Sequence, residues 1–290
     1  MTHATDLTLS AVHNPDGQPP LPVDAAVGYA RTVMDWDAQG TDPAVGAARD
    51  IAYGPHPLHR YNVFAPQGAE RAPVLVFWHG GGWTNGYRQW VTFMSRAACS
   101  LGFVLVAPSY RLAPAHPLPA GLEDALAALA HIRHGIRGWG GDPHRLFLAG
   151  HSAGGQLAAL TALLAPEGVA ACLPVSGIMD LRHPAPLPGS LEELIYTTVL
   201  AEPALDTAMS PVCRITEPGA VPFLLTYGEH DTDRVIRSNQ TLAAQLADHH
   251  TAVDLVEETG ADHFHTHTAL RSPDYPWYRR LAEMLRRSTT

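Results

Sequence analysis

Ser152 is the residue whose neighbours most clearly indicate chemistry. It lies at the centre of the pentapeptide Gly150-His151-Ser152-Ala153-Gly154, after an apolar run at 146–149 and before a helical pattern. A serine on so sharp a strand-to-helix turn has its hydroxyl lifted clear of the sheet. Glycines two residues before and after it remove the Cβ atoms that would collide in the bend. The context favours a nucleophile over a plain Gly/Ser turn.

Backbone amides near Ser152 could stabilise the negative oxygen that its attack on a carbonyl would create. The amide of Ala153 lies at the start of the predicted helix. Gly81 and Gly82 belong to a run of three glycines after an apolar strand pattern, so their amides can approach a substrate without side chains between them. Gly81, Gly82 and Ala153 are the predicted oxyanion hole, and a flexible glycine loop is the alternative. His79 is expected to brace the loop.

A serine nucleophile also needs a base, and the base needs an orienting carboxylate. Asp231 follows one apolar strand pattern and is the predicted acid. Asp233 is the alternative acid, and Glu229 is expected to face solvent. His263 follows the last strand pattern and is the predicted base. All these groups lie at carboxyl ends of strands, so a parallel sheet would gather them at one edge.

The elements that must position these groups alternate between strand and helix patterns. Strands are predicted at 74–78, 103–107, 146–149, 173–176, 223–227 and 253–257, and helices near 122–134, 153–164, 235–247 and 277–287. This alternation predicts an α/β fold with a mostly parallel sheet and helices on both faces. Two edge strands are predicted at 51–53 and 61–64, and the whole of 1–290 is expected to form a single domain.

Two segments interrupt or precede the alternation. Residues 1–45 include a helical pattern at 23–39, which is interpreted either as part of a lid over the site or as an appendage packed on the core. A Pro-rich excursion at about 180–215 is predicted to form a small cap that shapes the substrate pocket. Trp83 and Tyr110 could line that pocket, and core packing explains either of them equally well.

Four stretches together resemble the hormone-sensitive-lipase-like esterases of the α/β-hydrolase fold. They are residues 79–83, 109–114, 119–125 and 150–155. The chain order Ser152, Asp231, His263 is also the order expected of α/β-hydrolases. The resemblance implies an α/β-hydrolase fold with these three residues as the catalytic triad.

Within that group the chain most resembles the kynurenine formamidase (arylformamidase) branch, on residues 175–182, 209–211, 237–240 and 262–264. It departs from that branch at Gly82, where formamidases often carry a bulkier residue, and in a His-rich stretch after Phe264. The resemblance implies a serine hydrolase for an N-formylkynurenine-type amide or ester. A general small-molecule carboxylesterase is the alternative, and a non-catalytic ligand-binding protein on the same fold is a remote one.

Composition limits the partners. The chain has 290 residues, a net charge of −9 and no lysine, because all 19 basic residues are arginine. The negative charge argues against nucleic acid or an anionic membrane as partner, and the lack of lysine excludes Schiff-base chemistry and Walker A loops. A small-molecule substrate without a cofactor is expected, and the oligomeric state, homo-oligomers included, stays open.

Other features lead to ordinary interpretations. His263, His265 and His267 alternate in a way that could bind a metal in an extended segment, but histidines beside a catalytic one are commoner and no metal is predicted. Cys99, Cys172 and Cys213 are odd in number and widely spaced, which indicates free thiols. No signal peptide or membrane span is recognisable, so a cytoplasmic protein is expected.

Overall fold

One eight-stranded sheet forms the centre of the computed structural model, which describes residues 17–215, 219 and 221–288. Its strands are β1 Val45–Ala52, β2 Arg60–Pro66, β3 Ala72–Trp78, β4 Val104–Pro108, β5 Gly141–His151, β6 Val169–Val175, β7 Phe223–His230 and β8 Val253–Asp262. They lie in the order β1-β2-β4-β3-β5-β6-β7-β8. β2 is antiparallel to both β1 and β4, and every other neighbouring pair is parallel. The predicted mostly parallel sheet is confirmed.

Helices cover both faces of this sheet. They are α1 Asp24–Ala38, α2 Ser95–Ser100, α3 Ala120–Gly135, α4 Ala153–Leu164, α5 Leu191–Leu194, α6 Asp233–Asp248, α7 His265–Thr268 and α8 Pro276–Arg287. Along β3, Val74 and Val76 pack into one core with α3, α4 and α6. Leu75 and Phe77 face the other core, with α1, α2 and α8. β3 is apolar throughout because both of its faces are buried.

The observed elements extend beyond the apolar patterns. β5 begins at Gly141 and β8 continues to Asp262, because backbone pairing with the neighbouring strands recruits flanking residues whatever their side chains. A helical segment that the patterns did not predict follows the glycine loop, residues 79–86. It consists of a 3₁₀ turn, Arg88–Met94, that leads directly into α2.

The two irregular segments are both anchored to the core. Tyr29, Ala30 and Val33 of α1 are buried, while Val23 and Val27 face outwards. Residues 1–16 of the predicted N-terminal extension lie outside the described residues. In the 180–215 segment, α5 runs into a π-helical turn, and Leu200 pairs with Leu118 of the main body. Lid and cap remain predictions for these segments. No helix among the described residues is long and apolar enough to cross a membrane.

Candidate active site

The turn that carries Ser152, the serine turn at 150–154, is held by close backbone contacts. β5 ends at His151, α4 begins at Ala153, and Ser152 between them has φ 55° and ψ −120°. A Cβ on Gly150 would lie 2.3 Å from the Gly154 carbonyl oxygen, and one on Gly154 would lie 2.2 Å from that of Trp78. Only glycine fits at either position, so the crossing of strand and helix forces the serine into its left-handed conformation.

A chain of hydrogen bonds connects Ser152, His263 and Asp231. Ser152 Oγ lies 2.9 Å from His263 Nε2, and His263 Nδ1 lies 2.6 Å from Asp231 Oδ1. An ionised carboxylate can only accept, so Nδ1 carries the proton and Nε2 accepts from the serine hydroxyl. The alternative acids lie elsewhere: Asp233 is exposed and pairs with Arg237, and exposed Glu229 accepts from the Gly260 amide.

Asp231 is buried and satisfied by several donors. Its Oδ2 accepts from Ser176 Oγ at 2.6 Å and from the Gly228 amide at 3.0 Å. Burial by itself raises the pKa of Asp231, but the hydrogen bonds from His263, Ser176 and Gly228 outweigh it and hold the pKa below its ordinary value. The carboxylate therefore stays ionised beside the imidazole that it orients. Ser176 was not anticipated from the sequence.

The glycine loop passes directly beside the nucleophile. A Cβ on Gly80 would lie 3.1 Å from the Cβ of Ser152, and Gly81 and Gly82 have positive φ values of 117° and 61°. Among the residues that the structure describes, neither the Gly81 nor the Gly82 amide donates to a backbone acceptor. Ala153 is the first residue of α4, where an amide has no acceptor within the helix. These three amides are therefore compatible with the predicted oxyanion hole, which stays a prediction.

Side chains from distant segments support this loop. Trp83 Nε1 donates to Gln156 Oε1 at 3.0 Å, and Gln156 Nε2 donates to the Met209 carbonyl at 2.7 Å. The Tyr110 hydroxyl donates to the His79 carbonyl at 3.0 Å, and the two rings stack at 4.5 Å. Trp83 is 2% exposed and Tyr110 is 1% exposed, so both rings pack within the protein, and a pocket lining by either of them stays a prediction.

Three further histidines around the site are buried and neutral. Burial lowers the pKa of His79 to about 4 and that of His267 to about 3, and it lowers the pKa of His151 well below its ordinary value. His267 pairs with the hydroxyl of Tyr29, whereas His265 is exposed. Within the described part of the chain, no three His, Cys, Asp or Glu side chains are grouped as metal ligands.

Comparison with known families matches most of this framework. A family model described as "alpha/beta hydrolase fold" matches residues 75–267, from β3 to α7. The chain belongs to the α/β-hydrolase family. Together with esterase relatives, this match supports the hormone-sensitive-lipase-like esterase group and does not extend to the arylformamidase branch.

Three similar proteins are named as esterases. The chain is 43% identical to the carboxylesterase NlhH of Mycobacterium tuberculosis over 99 residues, which cover 34% of this chain and 31% of NlhH. It is 30% identical to the esterase LipC of the same organism over 263 residues, covering 79% of this chain and 65% of LipC. An esterase from Pyrobaculum calidifontis shares the fold with a TM-score of 0.75 and 23% identity, covering 90% of this chain and 92% of that chain. The matches cover less than two thirds of the length of both curated relatives.

Proposed function

We propose that the protein is a serine carboxylesterase that cleaves small esters through an acyl-serine intermediate. The observation that carries the proposal is the unbroken hydrogen-bonded chain from Asp231 through His263 to Ser152. In the described part of the chain, the nearby Gly81 and Gly82 amides donate to no backbone acceptor. That combination of activated nucleophile, oriented base and positioned N–H donors is what acyl transfer requires.

In the acylation step, His263 Nε2 takes the proton from Ser152 as the serine oxygen forms a bond to the ester carbonyl carbon. The carbonyl oxygen becomes negative and accepts from the amides of Gly81, Gly82 and Ala153. The carbon–oxygen bond to the leaving alcohol then breaks, and His263 returns the proton to that alcohol. Asp231 stays ionised and stabilises the imidazolium that forms between the two transfers.

In the second half of the cycle, water attacks the carbonyl carbon of the acyl-serine. His263 takes a proton from that water, the same amides hold the oxyanion, and the bond to Ser152 Oγ breaks as His263 returns the proton to it. The free acid leaves, and the hydrogen bond between Ser152 and His263 is restored. No group beyond the residues already described is needed for either half of the cycle.

An ester is placed before the aryl formamide that the sequence resemblance favoured. The two relatives and the solved structure reported above are named as esterases, and none of these similarities points to a formamidase. A formamide would pass through the same two steps, but His263 would have to protonate a leaving amine. The two substrates therefore differ in rate and not in the residues that act on them.

A fluorophosphonate probe and two classes of substrate test the proposal. Wild-type protein should be labelled stoichiometrically at Ser152 and should hydrolyse p-nitrophenyl acetate and butyrate faster than N-formylkynurenine. Ser152→Ala should abolish labelling and lower kcat by about 10⁶-fold, whereas the exposed His265→Ala should act like wild type. Absence of labelling would favour a ligand-binding protein. A faster rate on the formamide would restore the formamidase prediction.

A further inference from the structure

Behind the proposed base lies a row of three imidazoles, the histidine column, formed by His263, His151 and His267, in which the first two rings are tilted by 47°. The rings of His263 and His151 are 4.9 Å apart, and those of His151 and His267 are 4.8 Å apart and nearly parallel, with an interplanar angle of 11°. Phe77 stacks on His267 at 5.1 Å, with an interplanar angle of 6°. The ring that must exchange protons with Ser152 is thus at one end of a packed column, and the core closes the other.

Hydrogen bonds join the column to the backbone of the base. His151 Nε2 lies 2.8 Å from the His263 carbonyl oxygen, and Thr266 Oγ1 donates to the same oxygen at 2.9 Å. A carbonyl can only accept, so His151 carries its proton on Nε2. The position of the His263 main chain is therefore set by His151, the residue that directly precedes the nucleophile.

The N-terminal helix α1 reaches the same column through Tyr29. The Tyr29 hydroxyl and His267 Nδ1 lie 2.7 Å apart in a buried hydrogen bond. The Tyr29 ring also stacks on Phe264 at 5.1 Å, and Phe264 meets the His263 ring edge-on at 5.3 Å. One side chain of α1 therefore supports both the far end of the column and the residue next to the base.

The column is electrically neutral apart from the proton that His263 exchanges. Burial keeps His151 and His267 unprotonated at neutral pH, as their lowered pKa values indicate. The titratable and charged groups that face the column from the surrounding elements are Asp231, His79, Tyr29 and, through His79, Arg88. An imidazolium that forms on His263 during the reaction therefore meets a carboxylate on one side and uncharged rings on the other.

We propose that His151 and His267 are positioning residues for His263. Through Tyr29, the N-terminal helix α1 also holds His263 in the position that the reaction requires. The proposal rests on the esterase function above and adds residues that do not themselves contact the substrate. A helix that acted only as a removable lid would have no reason to place a buried tyrosine against a histidine two contacts away from the base.

A matched pair of tyrosine variants tests the role of α1. Tyr29→Phe keeps the four ring contacts of Tyr29 and removes only the hydroxyl from His267. Tyr61→Phe removes the same kind of bond at a distance from the site, because Tyr61 OH lies 3.0 Å from His131 Nδ1. With p-nitrophenyl acetate, Tyr29→Phe should lower kcat about tenfold and leave KM within twofold, while Tyr61→Phe should match wild type in both. Equal kinetics in the two variants, both as wild type, would overturn the role of Tyr29.

Three variants at one position test the column itself. His151→Leu removes the donor to the His263 carbonyl and should lower kcat by about 10- to 100-fold at unchanged KM. His151→Gln keeps an N–H donor at similar reach and should recover most of that loss. His151→Asp places a carboxylate behind the imidazole, favours its protonated form, and should move the acid limb of the kcat profile to higher pH. A residue that only stabilises the fold would lower the amount of active protein in His151→Leu and leave kcat per active site unchanged.

A readout without turnover separates this proposal from the esterase function. The proton between His263 and Asp231 should give a far-downfield ¹H NMR signal, as expected for a bond of 2.6 Å. Tyr29→Phe and His151→Leu should shift or broaden that signal, and Tyr61→Phe should leave it in place. Wild-type protein that hydrolyses no ester while these shifts occur would defeat the function and support the column. Active wild type with an unmoved signal in every variant would defeat the column alone.

Discussion

The serine turn and the glycine loop face each other across the proposed site, yet they are held in different ways. In the serine turn, contacts within a few residues and with the adjacent strand leave no room for a side chain at Gly150 or Gly154. The glycine loop depends on side chains far away in the sequence, above all Gln156 and Tyr110. The nucleophile is thus positioned by local sterics. The glycine loop is packed as closely at Gly81, where a Cβ would lie 2.1 Å from the Asn85 carbonyl oxygen, but it needs tertiary contacts as well.

Other tertiary contacts strengthen this difference. Gln18 bonds to both the amide and the carbonyl of Gly86, at 3.0 Å and 3.1 Å, and Asn85 donates to the Pro19 carbonyl at 2.7 Å. The N-terminal segment therefore ties down the far end of the glycine loop. The serine turn is held at closer range, because the Ser152 amide donates to the Val175 carbonyl on the adjacent strand at 2.9 Å. Substitutions in the serine turn should consequently lower the free energy of unfolding, whereas substitutions around the loop should mainly lower kcat by misplacing the N–H donors.

The largest expected effect is loss of stability in acid, since a buried neutral histidine lies in the glycine loop (His79) and another lies in the column beside the serine turn (His267). His79 and His267 are unprotonated when folded, down to pH of about 4 and about 3, but bind a proton below about pH 6.5 when unfolded. The free energy of unfolding should therefore fall as pH drops from about 6.5, by up to about 1.4 kcal/mol per pH unit for each histidine. Urea unfolding at pH 7.5, 6 and 5 measures the slope.

Variants assign that slope to the two regions. His79→Gln should remove the contribution of the glycine loop to the pH slope of the free energy of unfolding. His267→Gln should remove the contribution of the column beside the serine turn. The depressed pKa of Asp231 adds to the loss only at lower pH, in the ordinary carboxylate range. Stability that stayed flat between pH 7.5 and 5 would contradict the neutral, buried state of these histidines.

Two glycine variants compare the regions directly. A Cβ on Gly154 would lie 2.2 Å and 2.4 Å from two backbone oxygens, so Gly154→Ala should destabilise the protein by about 3 kcal/mol or more and prevent fluorophosphonate labelling. On Gly82 the nearest atom would be 3.9 Å away, and only the positive φ opposes substitution. Gly82→Ala should cost about 1 kcal/mol and keep labelling. Similar unfolding curves for the two variants would remove the distinction drawn above.

An effect smaller than that of Gly154→Ala is expected from the side chains that support the glycine loop. Gln156→Leu has a similar volume but leaves Trp83 Nε1 and the Met209 carbonyl buried without partners, which should cost about 2 kcal/mol. Loss of loop alignment should lower kcat about tenfold. Gln240→Leu is the control, because Gln240 is exposed and makes one 3.3 Å bond to Tyr227. A wild-type kcat in Gln156→Leu would show that the glycine loop keeps its conformation without the bonds to Gln156.

This contrast also explains what the sequence could reveal. The serine turn, α4 and the mostly parallel sheet follow from local patterns, because a buried strand, a tight turn and a helix each leave a signature within a dozen residues. The geometry that joins Ser152, Asp231 and His263 was foreseeable from strand ends that share one edge. Their roles in turnover remain for the labelling experiment.

The supporting residues gave no such signal. Ser176 and Gln156 are unremarkable polar residues in the sequence, and their importance arises from contacts made 55 and 73 residues away. Trp83 and Tyr110 illustrate the same limit, because an aromatic residue near a glycine loop can face a pocket or the core. Only packing decides between these positions, and it buries both rings.

The bond from Gln156 to the Met209 carbonyl has a consequence for substrate size. Met209 lies in the segment predicted to cap the pocket, and the same amide group that holds it also holds Trp83 of the glycine loop. An acyl chain too long for the pocket would displace that segment, pull on Gln156 and turn the loop amides away from the reacting oxygen. Oversized esters should then bind but react slowly, so that selectivity is expressed in the chemical step and not in affinity.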